Sequence, residues 1–329
     1  MKGLFKLDDK YDCYLSMTWM NDNNHGICGH IYEIIDYYLL LNKKFKMGIL
    51  ICEDLSWDIL EKCIRSKYAL DESQIFDIKS NCFFCNRPKY ILGKNTSILF
   101  VDGGLLNTLV PQGVYLMVKN VFSFKCTYID THYNLPYDNV TLLQDNRVYS
   151  GKDNEIAINY IKKIGFKYYK SYEHIQNDTA MLYCTTNCRQ VCNISLLDII
   201  FQYGFKNYML LTNDRAQYKS LLDSFPQITF PEMPVEDIFT KFGTYIYTPT
   251  GEGLARRKFD CSPRFIAECA YYGKKVIYHN IDEEYLSIDT GLKWRRYDIE
   301  NDFQSLYLDD SDELIDISYA VFCLKKNLI

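Results

Sequence analysis

The sequence predicts an α/β protein built from two Rossmann-like domains that face a central cleft. Three observations lead there. Apolar runs of strand length alternate along the chain with helix-length periodic segments, the pattern of parallel sheets flanked by helices. At 329 residues the chain exceeds one ordinary core and suits two domains of roughly 150 residues each. Its composition, 48% apolar and 24% charged, is that of a globular protein, and no Ser/Gly/Pro-rich or like-charge run is long enough to stay disordered.

In the first half, strands are expected at 11–19 (YDCYLSMTW), 46–52 (KMGILIC), 97–102 (SILFVD) and 123–130 (SFKCTYID). Helices near 27–42, 54–66 and 104–120 alternate with them. Residues 151–163 (GKDNEIAINYIKK) read as a helix at a domain boundary, dividing the chain into 1–150 and 151–329. The second series runs strand 178–185, helix 194–204, strand 207–212, helix 215–224, strand 227–230, helix 235–242, strand 244–249, helix 262–273 and strand 275–279. The apolar positions Leu314, Ile315, Ile317, Ala320, Val321 and Leu324 mark a closing helix over 312–326 that can return to the first domain.

Charge and cysteine content narrow the setting. A net charge of -5 excludes a generally basic surface, so an anionic partner has to be met by a local patch. A small anion fits this more easily than a duplex. No stretch offers an export signal or eighteen uninterrupted apolar residues, so a cytoplasmic protein without a membrane span is expected. Thirteen cysteines, an odd and scattered set, read as reduced thiols of a cytosol.

The stretch KFDCSPRFIAECAYYGKKVIYHN, from Lys258 to Asn280, holds the densest candidate site. Ser262 and Pro263 suit an N-cap and first helical residue, and Gly273 a stop. Arg264 and Glu268 stand four apart and share a helix face, but Arg before Glu is the poorer order for an intrahelical pair, and a first-turn cation opposes the helix dipole. A ligand resolves the conflict: free N–H groups and an arginine would bind phosphate, while Glu268 accepts from a ribose diol. The preceding loop adds Gly251 and Gly253 for close backbone approach and Arg256, Arg257 and Lys258 for positive charge. On spacing alone, a solvated turn with a surface ion pair fits the same residues.

These residues resemble the carboxyl-terminal domain of GT-B glycosyltransferases, where a strand, loop and helix carrying an Arg and a Glu hold a nucleotide sugar. The resemblance extends to the DNA β-glucosyltransferases of T-even phages. CTYIDTHYNLPY (126–137) is similar to that family's strand ending in its catalytic aspartate, which implies Asp130 as the base. AMLYCTTNCRQ (180–190) is similar to the strand and loop that send an arginine to the diphosphate, which implies Arg189. The segment MLLTNDRAQYKSLL resembles the next strand and helix. The family spaces its Arg and Glu three apart, whereas here they are four apart.

Taken together, the resemblance implies a transferase that moves a sugar from a UDP-sugar to an acceptor hydroxyl. The acceptor would be a hydroxymethylated pyrimidine in double-stranded phage DNA, or else a surface glycan or lipid sugar. Such chemistry needs a base for the acceptor proton and positive charge for the departing diphosphate. His25 and Asp102 rival Asp130 as base, since both follow strands on the expected cleft side. No Asp-X-Asp follows an apolar strand, so no metal site is assigned, and a divalent cation is compatible but not required. Cys82-Phe-Phe-Cys85 lacks the second ligand pair of a zinc site. A nucleotide-sugar binder without catalysis, and an epimerase using the same donor, are the competing readings.

Overall fold

The computed structural model describes residues 3–17, 29–43, 45–52, 55–85, 88–101, 113–124, 140–145, 155–158, 165–172, 177–183, 193–212, 215–231, 237–247 and 264–279. The chain forms two units, one of Met1–Tyr169 with Ser305–Ile329 and one of Lys170–Gln304.

In the first unit the strands are β1 (Leu4–Lys6), β2 (Cys13–Ser16), β3 (Met47–Ile51), β4 (Cys82–Phe84), β5 (Tyr90–Gly93), β6 (Ser97–Phe100), β7 (Tyr115–Val118), β8 (Val121–Phe124), β9 (Val140–Asp145) and β10 (Glu155–Ile158). Its helices are α1 (Gly29–Leu41), α2 (Trp57–Lys67) and α3 (Glu72–Ser80). Seven strands form one parallel sheet in the order β10-β9-β8-β6-β2-β3-β4, and β1, β5 and β7 form a second, smaller one. The central strands are buried end to end, as strands covered on both faces must be. The core between the two sheets gathers Leu7, Tyr14, Leu50, Ile91, Phe100, Leu116 and Val121. Gly48 makes room for it, since a side chain there would meet the Tyr14 ring at 2.6 Å.

The second unit holds β11 (Thr179–Tyr183), α4 (Asn193–Tyr203), β12 (Asn207–Leu211), α5 (Lys219–Leu222), β13 (Ile228–Thr229), β14 (Thr244–Tyr247), α6 (Arg264–Tyr271) and β15 (Lys275–Tyr278). Its parallel sheet runs β13-β12-β11-β14-β15. Numbered within each sheet, both orders read 3-2-1-4-5 from one edge, with two further strands in the first unit, which is the doubly wound Rossmann arrangement. Leu182, Leu196, Tyr208, Leu210 and Ile246 pack in one cluster of its core, and Met181, Phe242, Tyr245, Ile266 and Cys269 in another.

Several expected elements differ. A helix over 104–120 does not extend through its second half, where β7 forms. Gly113 takes a positive φ of 66° ahead of the strand, and YLMV then alternates between exposed and buried residues as a half-covered strand does. The helix expected over 151–163 is strand β10 across Glu155–Ile158, paired with β9; its two isoleucines flank one alanine, a strand period that the flanking polar residues obscured. Of the expected helix 235–242, the described residues form a 3-10 turn at Ile238–Thr240. Helix α3 was not anticipated, although Asp71 and Gln74 close a reciprocal capping box around its first turn. The closing helix 312–326 lies outside the described residues.

Gly243 enters β14 where an added side chain would stand 2.3 Å from the Asn177 carbonyl oxygen. Backbone cannot yield there as a side-chain tip can, so Gly243→Ala is expected to cost about 1–3 kcal/mol in urea unfolding. The Asp71 carboxyl is held below its usual value of 3.8 by the Ser73 hydroxyl and the Gln74 N–H. A depressed carboxylate stabilises fully above its unfolded value, and that contribution is lost as pH falls through the folded one. The urea midpoint of Asp71→Ala should therefore lie below wild type at pH 7, with the gap closing as pH drops below 3.8.

Candidate functional site

In a doubly wound sheet, ligands bind outside the carboxyl ends of the strands where successive connections part in opposite directions. In the second unit that point lies between β11 and β14. From β11 the chain proceeds outward through β12 and β13, then crosses back to β14 and outward again to β15. The two segments that leave this point are 184–192, between β11 and α4, and 248–263, between β14 and α6. They contain Arg189 and the set Gly251, Gly253 and Arg256, all four outside the described residues.

Arg264 and Glu268 are described, and both are buried, 6% and 1% exposed. Helix α6 connects two adjacent parallel strands, β14 and β15, so its amino end lies at their carboxyl edge. Arg264 is its first residue, and its Nε donates to Glu268 Oε1 at 2.8 Å. The pair thus forms despite the poorer Arg-before-Glu order. Burial decides the matter: a difference of a few tenths of a kcal/mol between the two orders on an exposed helix is outweighed by the cost of leaving either ion unpaired in the interior. A surface ion pair is excluded.

The neighbouring residues of α6 pack into an apolar and aromatic cluster. Phe265 stacks on Phe239 and meets Tyr245 edge-on, at centroid distances of 5.3 and 5.0 Å. The Cys269 thiol is pushed well up by burial and, secondarily, by the charge of Glu268. Lys274, also buried, has its ammonium lowered by desolvation. Tyr272, just past α6, donates its hydroxyl to the Lys170 carbonyl at 2.9 Å and so ties the helix to the chain entering the unit.

The first unit repeats the topology, with its parting point between β2 and β6. His25 belongs to the connection after β2, Asp102 to the one after β6, and Asp130 to the one after β8; all three lie outside the described residues. What sequence reasoning missed is His30, in the first turn of α1, whose Nδ1 lies 2.8 Å from Glu33 Oε2. The signal was available as a histidine and a glutamate three apart directly after Gly29, on a helix otherwise read for its apolar stripe. Among the described residues no cluster of three or more metal-binding side chains occurs. Burial pushes the Cys82 thiol up to about 12, which keeps it protonated at neutral pH. No described helix is long and apolar enough to cross a membrane.

No protein-family model matches the chain, and no curated protein does. Among solved structures it is similar to AviGT4, a glycosyltransferase involved in avilamycin A biosynthesis, with a TM-score of 0.48, 9% identity, and 96% and 97% of the two chains covered. It is also similar to a UDP-GlcNAc 2-epimerase from Neisseria meningitidis bound to UDP-GlcNAc, with a TM-score of 0.45, 10% identity, and 94% and 99% covered. The S. aureus MnaA complex with UDP follows at a TM-score of 0.39 and 11% identity, with 97% and 98% covered. All three lie below a TM-score of 0.5 and supply no residue correspondence.

A buried ion pair is destabilised most by losing one member. Glu268→Ala should lower stability by about 3–5 kcal/mol in urea unfolding, because it removes a carboxylate partner from a buried guanidinium. The double change Arg264→Met with Glu268→Leu should cost less than that single change, with packing restored and no charge left behind.

Proposed function

We propose that the protein is a nucleotide-sugar-dependent glycosyltransferase of GT-B type, with the donor held by the second unit and the acceptor proton taken by a residue of the first. The observation that carries this reading is topological. The second sheet reverses direction between β11 and β14, and the segments following those two strands contain Arg189 and the Gly251, Gly253 and Arg256 set. Helix α6 begins at the same edge with Arg264. Such an edge suits a diphosphate, which takes backbone N–H groups, a helix amino end and guanidinium forks together.

In this reading Arg189, Arg256 and Arg264 bind the diphosphate and stabilise it as it leaves, with Gly251 and Gly253 allowing close approach. Glu268 holds Arg264 in place and is the residue proposed to meet the ribose diol. The leaving group is then neutralised by protein charge, as a transfer without a dedicated metal requires. A UDP-sugar is the donor proposed. Asp130 is the proposed base, with His25 and Asp102 on connections at the same edge of the first sheet. For the acceptor, hydroxymethylated DNA is the specific proposal and a glycan or lipid sugar its rival; the net charge of -5 favours the smaller acceptor.

A thermal-shift panel of nucleoside diphosphates and their sugars tests the donor. UDP at about one hundred times its Kd should stabilise the protein by about 2.7 kcal/mol, and Arg264→Met with Glu268→Leu should abolish the shift while leaving the fold intact. Absence of a shift with every nucleoside diphosphate would sink the reading. Asp130→Ala should reduce transfer by about 10²–10⁴-fold with donor binding retained. Donor binding with no sugar chemistry on any acceptor would identify a binding protein instead. A DNA acceptor should show affinity that falls steeply with salt, and a small glycan should not.

A further inference from the structure

We infer that the outer face of the three-stranded sheet β1-β5-β7 is a docking surface for an anionic lipid bilayer, on which the protein rests without spanning it. This face stands independently of the transferase reading. Both strand pairs within the sheet are parallel, and a parallel sheet is ordinarily covered on both faces, because its crossovers lay helices over them. Here the inner face is covered: Ile91, Leu116 and Val118 belong to the core of the first unit, with Phe5 packed against it. The register puts Leu4, Tyr90 and Tyr115 in one row across the outer face and Lys6, Leu92 and Met117 in the next. Met117 is 64% exposed, Tyr115 51% and Leu4 41%. Lys6 is exposed as well, while Tyr90 and Leu92 are partly buried.

Area and charge select the occupant. With strands about 4.8 Å apart and alternate residues about 6.7 Å apart along them, the six side chains cover on the order of 200 Å². That is about a quarter of the roughly 800 Å² that each partner contributes to a stable protein complex, so a second copy is not held by this face. Charge points to an anionic partner. Lys6 stands in the face, and Lys89 and Lys94, both exposed, flank β5 at its two ends. The three strands themselves carry no carboxylate. Just beyond β1, Asp8 is engaged by Lys10 at 3.4 Å and Asp9 by the Asn95 amide at 3.2 Å. A chain of net charge -5 thus sets three lysines around a bare apolar patch, which complements a negative surface.

Between anionic partners the side chains favour lipid over nucleic acid. The rings of Tyr90 and Tyr115 stack on each other, with centroids 5.2 Å and planes 17° apart, so each gives a ring face to its neighbour. Single-stranded nucleic acid is gripped by bare ring faces on which its bases stack, and a duplex offers phosphates, to which Leu4 and Met117 add nothing. A bilayer interface takes all of these groups at once. Leucine and methionine enter the acyl boundary, tyrosines lie at headgroup level with their hydroxyls toward water, and lysine stems run along the apolar surface so that the ammonium groups meet lipid phosphates. The Lys89 ammonium lies 5.9 Å from the Tyr90 ring centroid, which sets the charge beside the patch.

Flotation of the full chain with phosphatidylcholine vesicles, with and without about 30% phosphatidylglycerol, tests the docking. The protein should float with the anionic vesicles, stay behind with the neutral ones, and be released by high salt. Each lysine near such a surface contributes about five-fold in affinity, so the triple change Lys6→Gln, Lys89→Gln and Lys94→Gln should weaken binding by about 100-fold. Met117→Gln should weaken it by about 10-fold through lost apolar insertion. Both variants should keep the wild-type urea midpoint, since the altered side chains are exposed. In Met117→Trp, emission should move to the blue with anionic vesicles only. Equal binding to neutral vesicles, no binding to either, or binding that survives the triple change overturns the inference. So does a preference for a single-stranded oligonucleotide at the same salt, or a dimer that Met117→Gln dissolves. The thermal shift with UDP should be the same in every variant, so failure of the docking and failure of the transferase reading are separate results.

Discussion

Parallel pairing is the constraint from which the rest follows. Every strand pair among the described residues is parallel. Consecutive parallel strands cannot be joined by a tight turn, so each connection has to cross the face of the sheet and begin again at the same edge. All strand ends of one polarity then collect on one side, and the connections that leave them bring residues distant in sequence to a common rim. The strand order adds one further feature per sheet, the place where winding reverses. There the connections diverge and leave a crevice rather than a packed surface.

The buried charges sit where that geometry predicts, and their energetics explain why they pair locally. Arg264 with Glu268 and His30 with Glu33 each join residues within one helical turn of a helix that starts at a carboxyl edge. Pairing within a helix needs no precision from the rest of the fold, since residues three or four apart are neighbours wherever the helix is placed. It also means that the ion pair survives modest movement of the helix. The opposite end of the first unit solves a different problem. There Tyr38 donates to Asp77 at 2.7 Å, Asn81 donates to Tyr38 at 2.8 Å, and Tyr11 donates to Asn81 at 2.8 Å. Tyrosine hydroxyls, rather than cations, satisfy the polar groups on that side, which ties α1 to α3 and burial raises the Tyr38 hydroxyl accordingly.

Much of the fold was legible in the sequence because the central strands of the seven- and five-stranded sheets are covered on two faces. Runs such as MGILI and YMLL carry no polar or charged residue apart from a tyrosine hydroxyl and are buried throughout, as a parallel strand covered on both faces needs to be. Legibility failed where that cover thins. Strand β7 exposes Tyr115 and Met117, so its pattern merged with the helical spacing of the residues before it, and Pro111 and Gly113 were the punctuation that separated the two. Strands β1, β4 and β5 were missed because three or four residues give too short a period to read. In the candidate site, Arg264 and Glu268 were singled out by spacing, which could not supply their burial. Rules for exposed helices were applied to a pair that tertiary burial removes from water. His30 was passed over in favour of His25, since nothing in the sequence says that Glu33 is interior.

The attachment of α6 bears on how a ligand at its amino end would be felt elsewhere. The helix is only eight residues long, too short to be stable by itself, and it is held at both ends. Ile266 and Cys269 bury its inner face. Beyond its last residue the Tyr272 ring stacks on Phe239 at 4.3 Å and lies 5.1 Å from Tyr172. The Tyr272 hydroxyl bonds the Lys170 carbonyl, and Tyr172 donates to Asp237 at 3.0 Å. Asp237 is the one described non-glycine residue with positive φ, 51°, a conformation that costs free energy and persists where neighbours enforce it. Lys170 is the first residue of the second unit. The helix that begins with Arg264 is thus fixed to the point where the chain enters the unit, through a short aromatic path. A group that must meet a diphosphate within a few tenths of an ångström gains most from such support, because a rigid element loses little entropy when the ligand arrives.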